Sequence, residues 1–127
     1  MKLWKYSADC LEKEVYYHEI EICRTLESRP VHMLTISGRN GLSADPELLP
    51  PELRKDAAAP PLRFPEKPVV LLSARVHPGE TGSSFVLNGI VEYLLMEFRA
   101  GPGRPEPATE LLRKFVFKVG DRALRGW

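Results

Sequence analysis

At 127 residues the chain is long enough for one small domain with a hydrophobic core. Its hydrophobic share of 43% and charged share of 28% are those of an ordinary globular protein. A net charge of +1 without a basic run argues against a nucleic-acid or polybasic membrane surface, and no apolar run is long enough to span a bilayer. Met1-Lys2-Leu3-Trp4 leads into polar residues, so no secretory signal is expected. Two cysteines, Cys10 and Cys23, do not make a disulfide framework, and a reducing, cytoplasmic compartment fits them.

In chain order, Asp9 to Ser28 is expected to be a helix. Asp9 is its N-cap, Leu11, Val15, Ile20, Ile22 and Leu26 give a broad apolar face, and Pro30 is its stop. Val31 to Ser37 alternates and predicts a strand, broken at Gly38, Asn40 and Gly41. Leu42 to Lys67 follows. Seven of the chain's twelve prolines lie between Pro46 and Pro68, so a solvent-exposed loop is expected there, with one helical turn near Pro51 to Lys55. Val69 to Val76 is β-branched and apolar on both faces, the pattern of a buried central strand. Pro78-Gly79 punctuates a turn. From about Gly82, Val86, Leu87, Ile90, Val91, Leu94 and Leu95 recur with helical spacing. A Pro/Gly loop over 100–107 precedes a short helix from Thr109 to Lys114 and a strand from Phe115 to Val119. The order predicts an α/β domain with a mixed or parallel sheet of about three strands and flanking helices.

His77 and Glu80 are the residues most apt for chemistry. They fall at the turn between a strand and a helix, where open α/β sheets bind their ligands. Neutral imidazole and carboxylate are both zinc donors, and H-x-x-E on a bend brings them to one ion. Pro78 stiffens that bend, Gly79 is expected to supply backbone angles closed to other residues, and the dipole of the following helix favours Glu80. His18 and His32 are read as half-buried or surface histidines. Glu12, Glu14, Glu19, Glu21 and Glu27 are read as a solvated helical face.

The stretch LLSARVHPGETGSSFVLNGIVEYLL resembles the first zinc motif of the zinc metallocarboxypeptidases, in their cytosolic carboxypeptidase branch. Val15 to Gly38 resembles the segment before that motif, and Leu111 to Val119 the strand after it. The most specific part is RVHPGE. The resemblance is strongest to members that remove branch-point glutamates from tubulin.

That resemblance implies a partial carboxypeptidase-like fold in which residues 1–127 are an incomplete, N-terminal part of a catalytic domain. It implies Zn2+ held by His77 and Glu80, with Arg75 as a substrate contact. It also implies a protein or peptide substrate such as glutamylated tubulin, with no nucleic acid or membrane partner, in the cytoplasm and also the nucleus. In the family the third zinc ligand, a histidine, and the general-base glutamate lie downstream. Gly120 to Trp127 does not continue the family pattern. The chain is therefore expected to carry no catalytic residue and to be inactive alone. A non-catalytic pseudo-peptidase acting as a binding module is the alternative, and an H-x-x-E zinc deacylase a more distant one.

Overall fold

Val15–Arg24 is dense in β-branched and aromatic side chains and forms a strand, β1. The computed structural model describes residues 14–51, 59–96 and 107–121. Within them the expected helix over 9–28 is replaced by this strand, and its first part, with Asp9, Cys10, Leu11 and Glu12, lies outside the described residues. Val15 and Tyr17 pack on one side of the sheet, and Tyr16 packs in a separate cluster on the other. A strand with apolar side chains on both faces loses its period of two, which is what gave it the look of a broad helical stripe.

β1 turns back through Thr25 to Arg29. Ser28 adopts a left-handed backbone (φ 61), its N–H donates to Thr25 O at 2.9 Å, and Thr25 N–H donates to Arg29 O at 2.9 Å. Leu26, expected on an apolar helical face, is fully exposed at the turn. Pro30 does not stop a helix but opens the next strand, β2 (Pro30–Gly38), a place where a missing N–H is tolerated.

Two further strands, β3 (Val69–Ser73) and β4 (Val116–Asp121), complete a mixed sheet of four described strands in the order β1-β2-β4-β3. β1–β2 and β2–β4 are antiparallel, and β3–β4 is parallel. The parallel pair requires a crossover, and helices α1 (Thr81–Met96) and α2 (Pro107–Lys114) lie on it. Both cover one face of the sheet. Leu87, Val91, Leu94 and Leu95 of α1 and Ala108 and Leu112 of α2 are buried against Val15, Leu34, Ile36, Phe117 and Val119. This is the α/β class expected.

The expectation of a strand buried on both faces through Val76 does not hold. β3 ends at Ser73 and lies at the edge of the described sheet. Val70 and Leu72 pack under the helices, while Val69 and Leu71 are 59% and 70% exposed on the other face.

The proline-rich segment is not merely solvated. Its described arms run past each other, with Ser43 N–H donating to Arg63 O at 2.9 Å, Arg63 N–H to Asp45 O at 3.0 Å and Glu47 N–H to Pro61 O at 2.8 Å. Phe64, with Leu42 and Leu62, packs on Tyr16 and Val116 across the face opposite the helices. The helical turn expected near Pro51 to Lys55 falls mainly outside the described residues.

Lys67 closes the segment. Its ammonium donates to Gly38 O at 2.8 Å and to Ser37 Oγ, Asn40 Oδ1 and Leu112 O at 3.0 Å, and it sits 4.9 Å from the Phe64 ring centroid. Among the described residues no helix is long and apolar enough to cross a membrane.

Candidate metal centre

The chain leaves β3 at Ser73 and enters α1 at Thr81, so His77 and Glu80 sit on the connection at the carboxyl end of a strand in a parallel pair. His77 Nδ1 lies 2.9 Å from Glu80 Oε1, and the His77 backbone N–H donates to Glu80 Oε2 at 3.3 Å. The Glu80 N–H returns to His77 O at 3.1 Å, closing the turn. The two side chains therefore converge, and they do so at the surface, 77% and 51% exposed. Hydrogen bonds from the His77 ring, and then from its backbone N–H, hold the Glu80 carboxyl below the usual carboxylate range.

Pro78-Gly79 does not work as expected. Gly79 is not in the left-handed region, and a Cβ there would meet nothing within 4 Å. The left-handed residue of the connection is Arg75, at φ 56. An L residue with a long side chain adopts that region at a cost, and only where its surroundings hold it. Here the Arg75 N–H donates to Ser83 Oγ at 3.0 Å, and its Nε donates to Pro78 O at 3.2 Å. Arg75 lies beyond the end of β3, so strand alternation does not set the direction of its side chain. Its guanidinium is drawn onto the turn that carries His77.

Ser83 was missed by sequence reasoning. Its hydroxyl donates to Glu80 O at 2.6 Å while accepting from Arg75 N–H. Its position three residues after Glu80, at the start of a helix, was the only signal.

The other candidates lie elsewhere. His18 is on β1, not on a helix, and its Nδ1 is buried without a hydrogen-bond partner among the described residues. Burial is the main reason its imidazole titrates below its ordinary range. His32 Nδ1 lies 2.8 Å from Glu19 Oε1 across β1 and β2. Glu21 and Glu27 pair with Arg24 and Arg29 at the hairpin end of the sheet, not along a helix. Cys23 is an exposed free thiol.

The row His18–Thr35–Lys118, aligned across β1, β2 and β4 under the proline-rich segment, was also missed. The Lys118 ammonium donates to Thr35 Oγ1 at 3.0 Å and to both Glu47 carboxylate oxygens at 2.6 Å.

The donor set fits part of a zinc centre. Two donors ~2.0–2.2 Å from one ion sit at most ~4.4 Å apart, and the 2.9 Å between His77 Nδ1 and Glu80 Oε1 satisfies that limit. Among the described residues no group of three or more histidine, cysteine, aspartate or glutamate side chains could hold an ion. The pair thus offers two of the three protein ligands usual for catalytic zinc.

The chain belongs to the zinc carboxypeptidase family, whose family profile matches residues 12–120. Among curated proteins it is 44% identical over 106 residues to cytosolic carboxypeptidase-like protein 5 of Bos taurus, a match covering 83% of this chain and 11% of that protein. It is 42% identical over the same length to cytosolic carboxypeptidase-like protein 5 of Homo sapiens. To cytosolic carboxypeptidase 1 of Danio rerio it is 34% identical over 119 residues, 94% of this chain and 8% of that protein. The chain spans about a tenth of the length of these relatives.

Proposed function

We propose that this chain carries the first half of a zinc centre for metallocarboxypeptidase chemistry, with His77 and Glu80 as ligands. The observation that carries the reading is the 2.9 Å approach of His77 Nδ1 to Glu80 Oε1 at the end of a parallel strand, in a chain of this family. A zinc ion at such a centre polarises a carbonyl and lowers the pKa of its bound water. The chain's own contribution is to orient two ligands. Glu80 Oε2 accepts the His77 N–H, and the ring and carboxylate face each other before any ion arrives. Glu80 is a ligand in this reading and not a general base.

The substrate proposed is a protein or peptide with C-terminal or branch-point glutamates, glutamylated tubulin being the type expected. Arg75 is the candidate contact for it. The compartment proposed is the cytoplasm, with the nucleus as a second site; the relatives are named cytosolic. One observation favours the non-catalytic alternative of a binding module: the described residues gather no third ligand around the pair.

The test is a chimera in which residues 12–120 replace the matching segment of the Bos taurus relative. Zinc-dependent release of glutamate from a glutamylated tubulin peptide, lost in His77→Ala, is the expected result. A folded, zinc-loaded chimera that releases none would sink the enzymatic reading and leave the binding module.

A further inference from the structure

We infer that Ser83 is a positioning residue for the His77–Glu80 pair, an assignment that rests on the metal reading proposed above. The problem it solves is created by the end of β3. Pairing with β4 stops at Ser73, and two residues later Arg75 turns into the left-handed region. The ladder therefore no longer supplies a partner for the Arg75 N–H, and the loop that follows carries both donors while being largely exposed. An exposed seven-residue connection of this kind has many conformations, and each costs entropy to exclude.

The Ser83 hydroxyl removes much of that freedom with one atom. It accepts from Arg75 N–H at 3.0 Å, where the connection begins, and donates to Glu80 O at 2.6 Å, where it ends. Arg75 adds a second tie from the same end, Nε to Pro78 O at 3.2 Å. With residues 75 and 80 bridged, the two ring closures between His77 and Glu80 fall between fixed points.

A serine in the first turn of a helix commonly donates to a carbonyl three residues back, a bond local to the helix. The bond from Arg75 N–H reaches outside the helix to the strand side of the loop, and local back-bonding does not require it. The adjacent Ser84 provides an internal contrast. It is buried, also in the first turn of α1, and its hydroxyl has no hydrogen-bond partner among the described residues.

Outer contacts that orient metal ligands are typically worth 10–100-fold in metal affinity. The test is a Zn2+ titration of the 127-residue chain, read at the His77 ring by NMR, together with amide hydrogen exchange at Arg75. Wild type, S83A, S83T and S84A are compared. Expected are zinc affinity weaker by about tenfold and Arg75 exchange faster by about tenfold in S83A, recovery of both in S83T, and no change in S84A. An S83A chain matching wild type in both readouts, an S83T chain that recovers neither, or an S84A chain with the same losses would each overturn the assignment. If zinc leaves the wild-type His77 ring unmoved, the metal reading fails by itself. Ser83 is then decided by Arg75 exchange and by whether S83A moves the His77 Nδ1 resonance that reports the contact with Glu80.

Discussion

At Gly38 the end of β2 passes so close to α2 that an added Cβ would lie 2.9 Å from Asn40 Oδ1 and 3.1 Å from the carbonyl oxygen of Leu112. Backbone cannot give way as a flexible side chain can. Gly38→Ala should therefore destabilise the fold by about 1–3 kcal/mol, measured by urea unfolding. Gly79 is the opposite case. Its φ is not left-handed and its surroundings are open, so Gly79→Ala should change stability by less than about 1 kcal/mol. A larger loss would mean that the turn needs glycine after all.

Among the described residues Lys118 is the charged side chain that is buried. It is 8% exposed, and its ammonium is satisfied only by Glu47 and Thr35 among the bonds described. Removing one partner of a largely buried pair leaves the other charge uncompensated, at about 3–5 kcal/mol, whereas replacing both by apolar residues costs much less. Lys118→Met should thus be strongly destabilising, and the double variant with Glu47→Leu should recover most of the loss. Additive losses in that cycle would contradict the pairing.

At the scale of elements, the proline-rich segment and the sheet meet over the row His18–Thr35–Lys118. Burial holds the His18 imidazole below its ordinary 6.5, and Lys118 works in the same direction, while a backbone contact with Ala59 and the charge of Glu47 oppose it. The sign follows directly. As pH falls through 6.5 the unfolded chain takes up a proton that the folded chain resists, so folding loses stability on the acid side. Thermal melts between about pH 7 and pH 5 should show a smaller acid loss in His18→Gln than in wild type. An equal or larger loss would show that His18 is not the group responsible.

The elements differ in how far the sequence revealed them. α2, β2 and β4 were readable because each has one dominant apolar face, and α1 because Leu87, Val91, Leu94 and Leu95 recur with helical spacing, although Val86 and Ile90, read into the same stripe, are exposed. β1 was not, because covering both of its faces put Tyr16 and Tyr17 in different cores and erased the alternation. The hairpin at Ser28 was hidden for another reason: its left-handed residue is a serine and not the usual glycine or asparagine. At the candidate centre the pair His77 and Glu80 was legible from residue type and spacing. What holds it was not, since the Ser83 bridge depends on Arg75 leaving the strand with φ 56.

For the whole molecule, β3 presents an unpaired edge among the described strands, with Val69 and Leu71 exposed beside it. On the helix layer, Val86 of α1 is a separate exposed apolar side chain, 65% accessible. Long apolar edges recruit further strands. As concentration rises the 127-residue chain should self-associate, and Leu71→Lys should raise the concentration at which light scattering appears without lowering the melting temperature. A wild-type chain that stays monomeric with a sharp, reversible transition would count against this.

If His77 and Glu80 are ligands to one zinc ion, calorimetric zinc titration of the chain beside His77→Ala and Glu80→Gln will register both of them. Binding no tighter than about micromolar is expected, as befits an incomplete ligand set, with its loss in either variant. A nanomolar site that survives both substitutions would place the metal elsewhere and contradict the claim.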